Sequence, residues 1–381
     1  MSNLYSLGID TNDFLELHTS DRILFKRCRR KWNFRSPLRM HLVYTDGAEN
    51  KNLWTGSGLH FGLEDFHGFK RFASPDLAVE AYFAAFKPEE KPIEADDMLG
   101  LLAGMLDYYQ MWLENREVFK TVWLPDPAAG QVPQVEVQFR ITMPELSNRV
   151  GKTVYYQGAF DRLAEDEESR GWWVEDYKTA ASIDVDKLET DPQISAYSWA
   201  ADVVYEQFGK RIEGVLYTQF AKKVPQLPEP LVKGGFSKNK AQKTTYRMYR
   251  RALMDAYGKI PPEYNDILSK FAENETVEGD AFIRRDRVYR NDYSRATAYQ
   301  QIMQEAVEML DPDIAIYPNP TRDCKWDCEF RTVCLAMDDG GDWESLVETM
   351  FEKKGDEPEW RQRIKYPEPQ IVMLNSPPSK C

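Results

Sequence analysis

The stretch GAFDRLAEDEESRGWWVEDYKTA, residues 158–180, ends one apolar run on Asp161 and closes another on Asp176-Tyr177-Lys178. Asp166-Glu-Glu-Ser169 reads as the turn between two strands. Alternate side chains of a strand share a face, so Asp176 and Lys178 project together while Glu175 and Tyr177 point the other way. With Asp161 leaving the neighbouring strand, two carboxylates and one ammonium converge at a sheet edge. Such a set suits a hard divalent cation bound through oxygen. The lysine would orient a water or neutralise charge developing on a phosphorane. A surface salt bridge is the plainer use of an Asp-x-Lys triplet.

Working outward, VEVQFRI (135–141) and TVYYQGAFDRL (153–163) read as strands preceding GWWVEDYKT (171–179). Asp191 as N-cap and Pro192 at the first helical position start a helix through about Phe208, which places Gln193 and Tyr197 on one face. IEGVLYTQF (212–220) is a further strand, so the order is three strands, helix, strand. Upstream, Ser20 caps a helix over about 21–34, and a second helix from near Gly56 carries LHFGLEDFHGF. On that second helix, His60, Glu64 and His67 sit at i, i+4 and i+7, which could also make a separate zinc site; Glu64 could equally be an auxiliary acid. Glu136 reads as a paired structural carboxylate, with an approach to the centre as its alternative. Residues 98–114 have the apolar spacing of a packing helix. Residues 246–310 read as mostly helical with one strand-like stretch, AFIRRDRVYR, and the tail YPEPQIVMLNSPPSKC (366–381) reads as unstructured.

The 381 residues, 42% hydrophobic and 13% aromatic, describe an ordered globular chain. No run approaches a membrane span, and MSNLYSLGID lacks the features of a secretory signal, so the expected address is the cytoplasm. The net charge of −13 hides two basic blocks. Residues 222–251, with Lys238, Lys240, Lys243 and Arg247 among nine cations, are net +8; residues 21–39 hold Arg27, Arg29, Arg30 and Lys31 among eight. Blocks of this kind can track a phosphate backbone, or serve as solvated helix and loop faces. The five cysteines are too few for a disulfide framework, yet CKWDCEFRTVC places Cys324, Cys328 and Cys334 within eleven residues. Cys28 is the sensible fourth ligand, because Cys381 ends the tail. Four thiolates fit structural zinc or an iron-sulfur cluster, and spacing favours neither.

Gly58-Leu59-His60, Gly158-Ala-Phe-Asp161, Asp176-Tyr-Lys178-Thr179 and Gln193-x-x-x-Tyr197, in this order, resemble the RecB-type branch of the PD-(D/E)XK nuclease superfamily. The resemblance covers roughly residues 20–337. It implies a restriction-endonuclease-like α/β core, a mixed central sheet flanked by helices, over about 56–222, with a helical insertion near 75–125. An N-terminal segment (1–55) would precede it; a basic loop and helical region (223–310), a C-terminal cysteine segment (311–365) and the tail would follow. His60, Asp161, Asp176 and the Tyr177 carbonyl would bind Mg²⁺ or Mn²⁺, Lys178 would be the catalytic lysine, and Gln193 and Tyr197 would contact it or the substrate. One cysteine before the core and three after it resembles AddB-type and CRISPR-associated exonucleases, which implies a structural [4Fe-4S] cluster on Cys28, Cys324, Cys328 and Cys334. Those relatives have two residues between the first two of the trio where this chain has three. The implied activity is exonucleolytic hydrolysis of DNA, on single-stranded ends, in recombination or repair and with a possible helicase partner. A DNA-end-binding subunit with little cleavage of its own is the alternative.

Overall fold

A computed structural model describes residues 14–45, 51–87, 91, 94–114, 116–127, 129–355 and 370–374. The principal elements in chain order are β1 (Phe14–His18), α1 (Thr19–Arg27), α2 (Arg29–Arg35), α3 (Lys51–Glu64), α4 (Pro75–Ala84), α5 (Ala95–Leu113), β2 (Phe119–Thr121) and β3 (Val135–Thr142). They continue with β4 (Thr153–Asp166), β5 (Trp172–Ala180), α6 (Pro192–Tyr205), β6 (Ile212–Ala221), β7 (Ile283–Tyr289), α7 (Asp292–Met309) and β8 (Gln370–Val372). The strands form one mixed sheet in the order β7-β6-β5-β4-β3-β8, with β1 and β2 also on β4. This is the expected mixed sheet flanked by helices.

Two cores explain the layers. Apolar residues of α6 and α7 pack on one face with Val137, Phe139, Phe160, Leu163 and Val174. On the other, α3, α4 and α5 pack with Tyr177, Phe220 and Ile283. Because helices cover both faces, β5 is buried from Trp172 to Tyr177 rather than alternating. The parallel pair β5 and β6 needs a crossover, and α6 supplies it, begun by Asp191, whose Oδ1 accepts the Gln193 amide at 2.7 Å. A close helix crossing fixes α3: a Cβ on Gly58 would meet Leu102 at 2.7 Å, and one on Gly62 would meet Leu106 at 2.6 Å. Those glycines let α3 lie tightly on α5.

Three local expectations change. The helix over 21–34 is two helices, because Cys28 is extended (φ −162°, ψ 111°) and its sulfur accepts the Lys31 amide at the start of α2. The tail is not wholly irregular: Gln370–Val372 runs parallel to Phe139–Ile141. Three residues are too few to show a period, and the free edge of β3 supplies their pairing. Residues 375–381, with Cys381, lie outside the described residues. The N-terminal segment is part of the sheet, since Phe14–His18 pairs with Thr153–Gln157.

Candidate active site

The centre lies where β4 changes partner. Along one edge, Thr153–Gln157 pairs with β1 and Arg162–Glu165 pairs with β5. Gly158-Ala-Phe-Asp161 falls between those ladders. Asp161 partly replaces the missing ladder, its Oδ2 accepting the Tyr177 amide at 2.6 Å. On the β3 side the same position is distorted. Val135 packs beneath Gly68 on the α3 face, whereas Val137 belongs to the α6 and α7 core. Residues two apart on a regular strand share a face. Glu136 makes the switch with φ +46°, a strained value for a residue bearing a Cβ, and lies opposite Asp161.

From α3, His60 enters this gap. Its Nδ1 lies 3.1 Å from Glu136 Oε1 and 3.4 Å from Asp161 Oδ1, and its Nε2 lies 3.2 Å from the Tyr177 carbonyl oxygen. Both ring nitrogens therefore face acceptors. Burial alone would lower the His60 pKa, but Asp161 and Glu136 together raise it well above its ordinary value. From β5, Lys178 Nζ donates to Asp176 Oδ1 at 2.7 Å, and Gln193 Nε2 of α6 reaches the same oxygen at 3.4 Å. Tyr197 hydrogen-bonds with Gln193 and packs edge-on against Phe160.

Burial pushes the Asp176 carboxyl up to about 6, and Lys178 offsets part of that rise. Glu136 is raised by burial too. Burial also acts upward on Asp161, but His60 and Lys178 outweigh it and hold that carboxyl low. Lys178 is raised by Asp176 and Asp161 against the effect of burial. Among the described residues, two buried carboxylates and the half-buried Glu136 are thus answered by Lys178 and a protonated His60, and Asp176 Oδ2 is buried without a hydrogen-bond partner. Ligand atoms of His60, Glu136 and Asp161 lie within 4.8 Å of one another. Carboxylate oxygens, a backbone carbonyl and one imidazole in a negative pocket fit a hard divalent cation.

The gap therefore brings together His60, Asp161, Asp176, the Tyr177 carbonyl, Lys178, Gln193 and Tyr197. It also brings Glu136, which pairs with His60 and so meets both sequence readings, a paired carboxylate and an approach to the centre. No local signal marks a glutamate for positive φ, and its strand pattern is that of a half-exposed position. His60, Glu64 and His67 do not make a separate zinc site. The π-helical turn Asp65–Phe69 breaks the phase, and His67 Nε2 meets Tyr109 Oη at 2.8 Å while its Nδ1 meets the Arg162 guanidinium at 2.9 Å. Glu64, pushed up to about 7 by burial, faces Arg71 at 3.6 Å.

The basic blocks divide in use. Arg27 pairs with Asp327 at 2.8 Å, Arg29 with Glu308, Arg30 with Asp338 at 2.7 Å and Lys31 with Glu329 at 3.3 Å. These cations dock the N-terminal helices on acidic residues of α7 and of the segment that follows it, a use beside the phosphate-tracking and solvated-face readings of the block. In the second block Arg247 is also consumed, its guanidinium donating to the carbonyls of Glu114 at 2.5 Å and Trp112 at 3.4 Å. Lys238 stands over Tyr264, Lys240 pairs with Asp266 at 3.0 Å, and both, like Lys243, stay exposed.

Cys28, Cys324, Cys328 and Cys334 line one cavity of about 140 Å³ between the N-terminal helices and the C-terminal segment. Cys28 Sγ accepts the Lys31 and Asn319 amides, both at 3.5 Å, Cys324 Sγ accepts the Thr321 amide at 3.3 Å, and Cys334 Sγ accepts from Arg30 at 3.2 Å. Among the described residues no three of these sulfurs lie within 4.8 Å of one another.

The family model of the PD-(D/E)XK nuclease superfamily matches residues 20–335, and the chain belongs to that superfamily. It is therefore a nuclease of a class that works with divalent metal ions. No curated protein matches the chain. Among the described residues no helix is long and apolar enough to cross a membrane.

Proposed function

We propose that the protein is a RecB-type, Mg²⁺- or Mn²⁺-dependent DNA exonuclease acting on single-stranded ends in recombination, repair or related processing. The observation that carries this reading is the under-compensated trio of Glu136, Asp161 and Asp176, with an unpartnered Asp176 oxygen beside Lys178. Glu136, Asp161, Asp176, His60 and the Tyr177 carbonyl would hold the ion, which supplies Lewis acidity toward the scissile phosphate and its attacking water. Lys178, kept protonated by Asp176, donates toward that water or toward charge gathering on the phosphate oxygens. Gln193 positions Asp176, and Tyr197 positions Gln193. Lys238, Lys240 and Lys243 give the strand's phosphates exposed partners.

The four cysteines would hold a structural [4Fe-4S] cluster that ties α1 and α2 to the C-terminal segment. Amide and guanidinium hydrogen bonds to three of the sulfurs favour thiolates. The activity is tested by digesting end-labelled single- and double-stranded DNA and RNA with Mg²⁺ or Mn²⁺. Mononucleotide release from single-stranded DNA is expected, and intact substrates with both metals refute the reading. For the cluster, protein purified without oxygen should be brown and hold about four irons per chain. A colourless protein with one zinc overturns that part alone.

A further inference from the structure

The most exposed aliphatic side chain among the described residues, Val232, lies inside the basic block 222–251, with Leu231 about half exposed beside it. Both stand at the tip of a short hairpin formed by residues 229–237. The Leu231 amide donates to the Gly235 carbonyl and the Leu231 carbonyl accepts the Gly234 amide, both at 2.9 Å, while the Ser237 amide donates to the Glu229 carbonyl at 2.8 Å. Gly234 (φ +87°) and Gly235 (φ +85°) turn the chain in a conformation that favours glycine. The turn therefore explains the glycines. It does not explain an aliphatic pair at the tip, where polar residues are usual.

The tip is held out rigidly. A Cβ on Gly235 would meet Tyr264 Oη at 2.6 Å, and the same oxygen accepts the Phe236 amide at 3.1 Å. The Ser237 carbonyl accepts Tyr249 Oη at 2.9 Å and Gln242 Nε2 at 2.7 Å, and Phe236 packs on the core of Tyr249, Tyr264 and Phe271. These braces fix the base of the hairpin and leave its apolar end in water, which disfavours that surface. The block also starts beside the cutting centre, because the Lys222 amide donates at 2.8 Å to the carbonyl of Ala180, two residues beyond Lys178. The nine residues from Lys222 to Leu231 span at most about 32 Å, the length of roughly nine or ten stacked nucleotides.

A partner for the tip must take two aliphatic side chains while lying among cations. Lys233 is on the tip, Lys238, Lys240, Lys243, Arg250 and Arg251 are exposed in the same block, and Glu229 is the only acid of residues 222–251. Asp266 answers one of these cations, Lys240. The end of a DNA duplex has the matching chemistry: apolar stacked bases within and phosphates along the rim. Aliphatic side chains part base steps in this way in proteins that kink DNA.

We propose that the hairpin of residues 229–237 is a wedge that parts the terminal base pairs of a DNA duplex. Leu231 and Val232 cover the freed base step, and Lys233 with the lysines behind it holds the flanking phosphates. Terminal pairs open spontaneously, so the wedge has only to favour the open state. The destination of the freed strand, the cutting centre, rests on the nuclease reading; the wedge rests on the hairpin.

The test uses the full chain in EDTA, so that nothing is cut, and a duplex closed by a loop at one end, with 2-aminopurine next to its blunt end. Binding should raise the 2-aminopurine fluorescence toward that of the single strand. The double variant Leu231→Ser, Val232→Ser should melt as the parent does, because neither side chain is buried in the fold. It should lose the fluorescence rise and bind the duplex end about ten-fold more weakly by anisotropy, while single-strand affinity stays within about two-fold. No rise with the parent protein at saturation, an unchanged rise with the variant, or an equal loss of affinity for single strands would each overturn the wedge. So would intact duplex opening in a variant that instead loses self-association in sedimentation or binding to phosphatidylglycerol vesicles, which would assign the tip to a second copy or to a membrane. Opening by a protein that cuts nothing with either metal would refute the nuclease reading and keep the wedge. Cutting of single strands without any opening would do the reverse.

Discussion

Arg162 and Glu175 pair across β4 and β5 one residue from Asp161 and Asp176, yet the two clusters differ in how their charge is balanced. The oxygens of Glu175 receive Arg162 at 3.1 Å, Tyr177 Oη at 3.0 Å, Arg285 at 2.8 Å and Thr218 Oγ1 at 2.6 Å. Glu117 adds a second carboxylate within 4 Å of both arginines, so two cations answer two carboxylates there, although Arg162 Nε and Glu117 Oε2 lack hydrogen-bond partners. In the gap, three carboxylates share one lysine and one histidine, and one carboxylate oxygen has no partner. One cluster balances its own charge. Under the proposed function the other is completed by a cation and a substrate, and its unmet charge is what would bind them.

Breaking each cluster should separate activity from stability. Asp161→Ala, Asp176→Ala and Lys178→Ala should each lower cleavage about 10³-fold or more, as loss of a principal electrostatic group does. The thermal melt of Asp176→Ala should match or exceed the parent, because a carboxylate that burial disfavours is removed, whereas Asp161→Ala should melt lower, because it takes the acceptor from the Tyr177 amide and a partner from His60 and Lys178. Near-parental cleavage by Lys178→Ala would refute its assigned role. Glu175→Ala should do the converse. Strand alternation does point Glu175 away from the centre, but its removal strands Arg162 and Arg285 and should cost about 3–5 kcal/mol in urea unfolding. Cleavage per folded molecule should survive, and a stable but inactive Glu175→Ala would erase the contrast.

Asp21 sharpens the comparison as a buried acid without a cation. It accepts the Ser36 hydroxyl at 3.0 Å, and burial pushes its carboxyl up to about 6. With a folded pKa above the unfolded value near 3.8, its ionisation removes stability as pH rises from about 4 to 6. Asp21→Asn should therefore gain up to about 3 kcal/mol above pH 6 and nothing below pH 4, at about 1.4 kcal/mol for each pH unit between the folded and unfolded values. A gain independent of pH would show that charge burial is not the cause. The smallest effect expected is for Glu136→Gly, which accepts φ +46° without strain. Its stability should change by less than about 1 kcal/mol while cleavage falls about ten- to a hundredfold. Unchanged cleavage would return Glu136 to a structural role.

Much of the centre is legible in the sequence. Asp161, Asp176, Lys178, Gln193 and Tyr197 follow from strand alternation and helix spacing around a single hairpin and crossover, so short-range geometry orders them. His60 comes only through family resemblance, because it reaches the gap across a helix crossing that depends on Gly58 and Gly62 fitting Leu102 and Leu106. The partners of Arg247 and of the cations around Cys28 are not legible there, since charge in sequence does not reveal an acid opposite it in space. The break of the helix at Cys28 is hidden too: the residues on either side favour continuation, and beside the local Lys31 amide the contacts there come from Asn319, far along the chain.

By itself the sequence determined the run β3, β4, β5, α6 and β6, the facing of Asp176 and Lys178, the capped start of α6 and the basic character of residues 222–251, all consequences of local periodicity and backbone chemistry. Only the tertiary structure decided where β4 exchanges β1 for β5, that Glu136 turns into the resulting gap, and which arginines are spent on glutamates rather than left for phosphate. Those outcomes depend on which strand edges and charges meet across hundreds of residues, and no local rule encodes that meeting.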